Sequence, residues 1–369
     1  MKVFWLFNHP APYKVDFFNE LGKEAELDVY FERPSEKSRN KTFYSESPLS
    51  FSCHICPSFS WGEGNNYTHE PIKALKKNHY DIIVLNGWRT LTEQRAIAFC
   101  RRHHLDYVFW INGGIIKNNE SAIIRAIKKH YIKGASSYFS PDSNSNAYLI
   151  HYGADKDKIV VYPYSSIYEK DLIAAPLNKE SKLALREKLG LKGERIFISV
   201  GQFIERKNYK ELISLFAKMD ESDALYIMGE GSQKEEYEKL IASLGLVNVH
   251  LLPYKPHNEV LEYFRAADCF VFLSKEDIYG HVVNEALSQA LPVVSSKSVN
   301  AATHLLNNGE NGFLVDLDNE EQIIGFLRLF PNKDMENGAL KKAKENTMEE
   351  SSRFVFSAFK ALREGKVSK

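Results

Sequence analysis

Asp277 and Glu285 stand eight positions apart, with Tyr279, Gly280 and His281 between them, in the stretch FVFLSKEDIYGHVVNEALSQALPVVSS (Phe270–Ser296). Carboxylates at such a mouth accept hydrogen bonds from hydroxyls: Glu285 from two ribose hydroxyls, Asp277 from a sugar hydroxyl. Glu285 follows His281 by four residues, so on a helix both project from one face. A helix opening at Gly280 would add unpaired backbone N–H groups that suit a diphosphate. Upstream, Gly201-Gln202-Phe203-Ile204-Glu205-Arg206-Lys207-Asn208 sets two adjacent cations after a glycine turn. Arginine can grip a diphosphate with two N–H groups and lysine acts on it as a point charge. Gly229-Glu230-Gly231-Ser232 is another glycine turn before a helix. The plainer readings are an ordinary strand–helix–strand unit with solvated loop acids, a solvated Arg-Lys pair and a lone turn; together the motifs suit a nucleotide sugar.

These residues need rigid strands beneath them. The apolar run Cys269–Leu273 suits a parallel strand covered on both faces. The helix after Gly280 carries Val282, Val283, Ala286, Leu287 and Ala290, and Val293 begins the next strand. The unit therefore puts its loop at the carboxyl end of a strand, where open α/β sheets bind ligands. Arg195–Val200, Leu225–Met228, Val249–Leu252 and a strand at Phe313–Val315 alternate with helices at Tyr209–Met219, Asn258–Ala267, Glu320–Leu329 and Gly338–Glu345. The first half reads the same way. Strands at Lys2–Phe7, Leu27–Glu32, Asp81–Asn86, Tyr107–Ile111 and Ile159–Tyr162 alternate with helices at Tyr13–Lys23, Leu91–His104, Asn119–Lys133 and Ser143–His151. The stretch 33–66 reads as a long excursion with little regular structure. The turn Asn8–Pro12 lacks a dinucleotide fingerprint, and Asn112-Gly113-Gly114 allows a close backbone approach to a ligand. Ser165–Glu180 has no clear period and is expected to be a linker.

At 369 residues the chain fits two domains. Acids and bases balance at 48 each, which gives no nucleic-acid signature. Residues 1–170 hold 22 Lys+Arg against 18 Asp+Glu, leaving 26 against 30 for the rest, a bias that suits an anionic surface or substrate. The helix Asn119–Lys133 carries Arg125, Lys128, Lys129, His130 and Lys133 beside an Ile/Ala face, the pattern of a helix that lies on an anionic membrane or of one packed on its sheet with a solvated polar face. No apolar run reaches membrane-spanning length, so a cytoplasmic location is expected, with peripheral attachment to the inner face of a membrane. Four cysteines give neither a disulfide framework nor a metal-ligand spacing, and no metal is expected.

Asp277-Ile-Tyr279-Gly280-His-Val-Val-Asn-Glu285-Ala286 resembles the donor signature of the family-4 retaining glycosyltransferases of GT-B architecture, with Asp277 where that family usually carries Glu and Glu276 next to it as a competitor for the role. The resemblance runs in motif order from Val200 to Val315. It implies α/β, two Rossmann-like domains facing across a cleft, with a C-terminal helix crossing back to the first. The first domain would cover 1–170 plus about 349–369 and bind the acceptor; the second, 178–348, would bind the donor. Lys207 matches the family's diphosphate-binding lysine, while Gln202 stands where arginine is usual and Arg206 is expected to substitute. Gly201, Gln202, Gly229, Tyr254, Lys255, Tyr279, Gly280, His281 and Glu285 become donor-binding residues, with Lys207, Arg206 and Asp277 catalytic. Asn300–His304 departs from the family's Gly-Gly-x-Pro-Glu. In the first domain Pro12-Tyr13, Gly87-Trp88 and Asn112-Gly113-Gly114 resemble members that build bacterial surface polysaccharides, placing His9, Tyr13, Trp88, Asn112, Gly113 and Gly114 on the acceptor side.

The implied reaction is sugar transfer from a nucleotide diphosphate, UDP favoured, to a hydroxyl of a glycan or lipid-linked acceptor, with retention and without a metal or other cofactor. A nucleotide-sugar 2-epimerase would need the donor site but no acceptor groove. A non-catalytic partner of another glycosyltransferase would tolerate the departures at Asp277 and Gln202, but need not keep Lys207, Gly280 and Glu285 together.

Overall fold

The computed structural model describes residues 1–35, 48–61, 65–117 and 119–365. The chain divides into two compact α/β units, Met1–Tyr164 with Met348–Lys369, and Ser165–Thr347.

The first unit is built on a parallel sheet whose inner strands, Lys2–Phe7, Ile82–Asn86 and Val108–Trp110, are largely apolar, as burial on both faces requires. Its strands are β1 (Lys2–Phe7), β2 (Glu26–Phe31), β3 (Ser52–Ile55), β6 (Ile82–Asn86), β7 (Val108–Trp110), β8 (Ser137–Ser140) and β9 (Ile159–Val161), in the order β3-β2-β1-β6-β7-β8-β9. A separate antiparallel pair, β4 (Phe59–Trp61) and β5 (Asn65–Tyr67), follows β3. Helices α1 (Pro12–Gly22), α2 (Glu70–Lys77), α3 (Leu91–Arg102), α4 (Ala122–Ile132) and α5 (Ser143–His151) connect the strands. Local chemistry fixes their starts. Thr90 and Glu93 form a reciprocal capping box at α3, and the Asp142 carboxylate accepts from Ser145 N at α5. Because β1 runs outward to β2 and β3 before β6 returns beside β1, the sheet reverses its winding between β1 and β6. The following loops, Asn8–Ala11 and Gly87–Thr90, flank that switch point, where open sheets bind ligands.

The second unit repeats the plan. Strands β10 (Arg195–Val200), β11 (Asp223–Met228), β12 (Val249–Leu252), β13 (Cys269–Phe272), β14 (Val293–Ser296) and β15 (Gly312–Val315) are parallel in the order β12-β11-β10-β13-β14-β15. Its helices are α6 (Lys179–Leu189), α7 (Tyr209–Phe216), α8 (Lys234–Ser243), α9 (His257–Ala266), α10 (Val282–Ser288), α11 (Asn300–Leu305), α12 (Glu320–Leu327) and α13 (Lys333–Lys344). The switch point here lies between β10 and β13. A buried Asp268 ties α6 to the sheet: it accepts from Arg186 Nη2 at 2.6 Å and from Ile196 N at 2.8 Å. The last helix, α14 (Met348–Arg363), belongs to the first unit, where Phe359 meets the rings of Trp5 and Phe139.

The structure differs from the sequence expectations at four places. Within 33–66, β3 pairs in parallel with β2; its mostly exposed Ser-Cys-His-Ile carries no apolar alternation, as an edge strand allows. The remainder of that excursion, 36–47 and 62–64, lies outside the described residues. Ser165–Glu180 is packed rather than linking: Ile167 is buried, Ile173 N donates to Ser288 O, and Gln289 Nε2 donates to Asp171 O. Gly338 does not begin a helix but sits inside α13, whose start is fixed by Asn332 accepting from Met335 N; the glycine is needed because a Cβ there would lie 1.9 Å from Glu310 O. Gly280 precedes α10 rather than opening it. Its φ of +96° is left-handed, His281 is the cap residue, and the helix has seven residues.

Candidate functional site

In the second unit the two loops at the switch point are laced together. Lys275 N and Ser274 Oγ both donate to Arg206 O, at 2.8 and 2.9 Å. Arg206 Nη1 returns a bond to Glu276 O at 3.0 Å. Three charges converge across this seam. Lys207 Nζ lies 2.5 Å from Asp277 Oδ2, and Arg206 Nη1 lies 3.6 Å from the same oxygen. Lys207 is 8% exposed and its ammonium sits 4.4 Å from the centre of the Phe272 ring. Burial pulls the Lys207 pKa down from its ordinary value, and Asp277 holds it up part of the way. Asp277, not the exposed Glu276, therefore faces the cations.

The Asp277 loop is fastened from its far side. Asp277 N donates to Ser298 O, Ala301 N donates to Tyr279 O at 2.7 Å, and Asn300 Nδ2 donates to Ile278 O at 2.9 Å. Asn300–His304, where the family pattern fails, thus begins α11 and positions this loop. Tyr279 is buried, and its ring meets His281 at 4.9 Å. At the neighbouring turn, Gly229 and Gly231 let the backbone press against the Gly201–Phe203 loop. A Cβ on Gly229 would lie 1.9 Å from Gly201 O, and one on Gly231 2.4 Å from Phe203 O.

Glu285 makes a different contact. Its Oε1 lies 3.6 Å from His257 Nδ1 on α9, and its side chain is 19% exposed. Burial raises the Glu285 pKa and His257 lowers it again in part. Gln202 and Tyr254 are exposed, and Lys255 pairs with Glu259 at 3.0 Å. Tyr254 and Lys255 follow β12, two strands from β10, so they sit roughly 10 Å across the sheet edge from the Lys207 loop.

A second concavity, of about 630 Å³, opens at the switch point of the first unit. Trp88, Asn112 and Gly113 line it; His9 and Tyr13 do not, and Tyr13 meets Tyr164 edge-on. Gly114 packs beneath Tyr148, where a Cβ would come within 2.6 Å of the ring, and its N donates to Ser145 Oγ. Asn112 Oδ1 accepts from Trp110 Nε1 at 3.0 Å and from Tyr162 OH at 3.3 Å, which turns the amide nitrogen toward Asn86.

Several residues here went unremarked in the sequence. Glu32, fully buried, accepts from Thr90 Oγ1 at 2.8 Å, and Glu93 Oε2 accepts from Thr90 N at 3.0 Å. The Thr-x-x-Glu spacing of Thr90–Glu93 marks a capping box and was the one available signal; nothing in sequence links Glu32 to it, 58 positions away. Lys14 is buried with its ammonium 4.3 Å from the Tyr164 ring centre, and burial pushes its pKa well down.

The acid pair carries a pH prediction. Burial raises Glu32 to about 9, with Glu93 adding to the effect, and burial raises Glu93 to about 7. Both lie above the ordinary 4.5, so between these values the folded chain holds more protons than the unfolded one. The stability this provides is fully present below the ordinary value and is lost as pH climbs through about 7 and about 9. Glu32→Gln keeps an acceptor for Thr90 but cannot ionise. Its Tm is expected to fall less than that of wild type between pH 5 and pH 9; equal losses in thermal unfolding curves would contradict the pairing.

Residues 181–347, which contain every donor-side residue above, match the family described as glycosyl transferases group 1. This chain carries a group 1 glycosyltransferase domain. A lipopolysaccharide core biosynthesis glycosyltransferase of Rhizobium meliloti is 31% identical over 134 residues, 36% of this chain and 37% of that protein. An N-acetylgalactosamine-N,N'-diacetylbacillosaminyl-diphospho-undecaprenol 4-alpha-N-acetylgalactosaminyltransferase of Campylobacter jejuni is 31% identical over 161 residues, 43% of this chain and 42% of that one. The chain thus spans under half the length of these relatives. The crystal structure of Anabaena HepE in complex with UDP aligns over 98% of this chain and all of its own, with a TM-score of 0.72 at 15% identity. That likeness gives the fold: two parallel-sheet, Rossmann-like units, as in GT-B glycosyltransferases. The group 1 domain holds the Lys207–Arg206–Asp277 cluster at the switch point of its sheet.

Proposed function

We propose that the chain transfers a sugar from a nucleotide diphosphate donor, a UDP-sugar, to a hydroxyl of a glycan or lipid-linked acceptor, with retention of anomeric configuration, in cell-surface polysaccharide assembly. The observation that carries this reading is the convergence of Lys207 and Arg206 on Asp277 at the carboxyl ends of β10 and β13, inside the group 1 domain. An incoming diphosphate competes with Asp277 for the two cations and releases its carboxylate toward a sugar hydroxyl. As the glycosidic bond breaks, negative charge grows on the leaving phosphate, and the buried Lys207 meets it in a low-dielectric setting. Lys207 and Arg206 supply the positive charge a metal would otherwise bring, hence a metal-independent reaction. Retention rests on the resemblance of Asp277–Glu285 to the retaining family. Glu285 takes the ribose hydroxyls.

A panel of sugar nucleotides in thermal unfolding tests the donor. A native-state ligand at 100 times its Kd raises stability by about 2.7 kcal/mol, so one UDP-sugar is expected to raise Tm clearly. No shift with any nucleotide sugar would remove the donor assignment.

We also propose peripheral attachment to the inner face of a membrane through α4. Among the described residues no helix is long and apolar enough to cross a membrane. On α4, Ile123, Ile124 and Ile127 are 74%, 46% and 40% exposed, and the spacing puts them on one stripe. Arg125, Lys129, His130 and Lys133 are exposed beside them. Lys128 is otherwise engaged: it pairs with Glu120 and lies over the Tyr152 ring. Exposed isoleucines flanked by cations complement anionic lipid. Co-sedimentation with phosphatidylglycerol vesicles is expected, weakening with salt and lost in Ile123→Asp/Ile127→Asp. Binding unmoved by both changes would exclude α4.

A further inference from the structure

Two buried hydroxyls beneath the Gly201–Asn208 loop are left over from the hydrogen bonding of the second unit. Ser199 Oγ, near the end of β10, and Tyr209 OH, at the start of α7, are enclosed and make no hydrogen bond among the described residues. Leaving such a group unpaired costs stability, and phenylalanine would fill the same ring site without that cost. The Tyr209 ring belongs to an edge-on cluster, 5.7 Å from Phe203 and 5.9 Å from Tyr237. Tyr237 OH donates to Gln233 Oε1 at 2.6 Å. Of the two phenols in this cluster, only that of Tyr209 is unsatisfied.

The position of that phenol says what it can meet. A Cβ built on Gly201 would lie 2.7 Å from Tyr209 OH and 3.5 Å from Lys207 Cε. The hydroxyl and the end of the lysine thus press on one backbone point, and Nζ is a single bond beyond Cε. Asn208 Oδ1 is likewise buried and unbonded, but it is Tyr209 that shares Gly201 with the lysine. Nζ turns instead to Asp277 Oδ2, at 2.5 Å, with the Phe272 ring behind it. An ammonium carries three N–H donors. Lys207 is only 8% exposed, so donors that do not face an incoming diphosphate need an acceptor inside the protein.

We propose that Tyr209 is a positioning residue for Lys207. When a diphosphate displaces Asp277, the Tyr209 hydroxyl accepts from Nζ and donates its own O–H to Ser199 Oγ. The ammonium is then held on the leaving phosphate after its carboxylate has gone. What displaces Asp277 rests on the glycosyltransferase reading; the contact itself requires only the loss of that carboxylate.

Thermal unfolding tests the contact without any donor. Tyr209→Phe alone is expected to leave Tm unchanged or to raise it, because no bond is lost. In an Asp277→Ala background the same change is expected to lower Tm by about 2–4 °C, because the hydroxyl is then the lysine's acceptor. Additive effects of the two changes would overturn the proposal. Steady-state transfer reads the role in turnover. Tyr209→Phe is expected to lower kcat about tenfold with the donor KM little changed, the scale of one hydrogen bond to a charged group. A bond to the ammonium favours the charged form, so its loss moves the alkaline limb of the pH–kcat profile about one unit lower. Asp277 and Arg206 are the charged groups that face Lys207, and with Tyr237 they are those near Tyr209; all stay in place in this variant. Tyr237→Phe, which alters the same cluster away from the lysine, is expected to keep the wild-type kcat and limb. A limb that stays put in Tyr209→Phe, or moves equally in Tyr237→Phe, would also overturn the proposal. If no sugar nucleotide gives turnover, the transferase reading falls, and the unfolding series alone decides whether Tyr209 holds Lys207.

Discussion

Lys207→Ala is expected to lower kcat by about a hundredfold or more while KM for the sugar nucleotide rises less. The reasoning is differential: an interaction that strengthens as the diphosphate leaves acts on the transition state more than on the bound donor. Removing one preorganised donor to a developing anion costs about 10²–10³ in kcat. Lys207 is placed for that role because it is nearly enclosed, backed by the Phe272 ring and held by one carboxylate. Arg206→Ala should show the same pattern more weakly, since its side chain is 43% exposed and its charge is partly screened by solvent. Steady-state transfer by wild type and both variants decides the matter. Wild-type kcat in Lys207→Ala would place the essential cation elsewhere. A non-catalytic partner protein would show no turnover in any of the three.

Glu285→Ala is expected to weaken UDP binding about ten- to a hundredfold. Hydrogen bonds to a charged group contribute about 1.5–3 kcal/mol, and 1.4 kcal/mol is tenfold in affinity. The side chain is mostly enclosed, so the bonds it makes to a ribose would be shielded from water. Burial raises the Glu285 pKa, and His257, 3.6 Å away, lowers it in part and so favours the charged form. His257→Ala should therefore weaken UDP binding in the same direction but less, and the loss should grow as pH falls. Calorimetric titration with UDP checks both; unchanged affinity in Glu285→Ala would detach the ribose from this residue.

Much of the architecture is legible in the chain itself. Runs such as Val3–Phe7 and Phe270–Phe272 are apolar without alternation, and only a parallel strand buried on both faces explains that in so short a span. Because the strands at Arg195–Val200 and Phe270–Phe272 are each followed by a glycine-bearing turn and an apolar-striped helix, the loops Gly201–Asn208 and Ser274–Gly280 could be put at strand ends from spacing alone. The α3 cap is the kind of feature local rules reach, since Thr90 and Glu93 are three residues apart and satisfy one another's backbone, although the sequence reading passed over it. Such features depend on neighbours along the chain, which sequence displays directly.

What tertiary structure alone decided are meetings between residues far apart in sequence. Asp277 reads as a sugar ligand with Glu276 beside it as a competitor; only the seam between the loops after β10 and β13 turns Asp277 onto Lys207, 70 positions away. Gly338 looks like a helix start until Glu310 O is found against it. The isoleucines of α4 look like a core-facing stripe, and their exposure follows from which side of the helix Ile132 and Lys128 anchor. The Glu32–Thr90–Glu93 contact has no shared period at all. Strand order, which spacing does not encode, carries the β2 end and the β6 end to the same switch point and so brings these two carboxyls together.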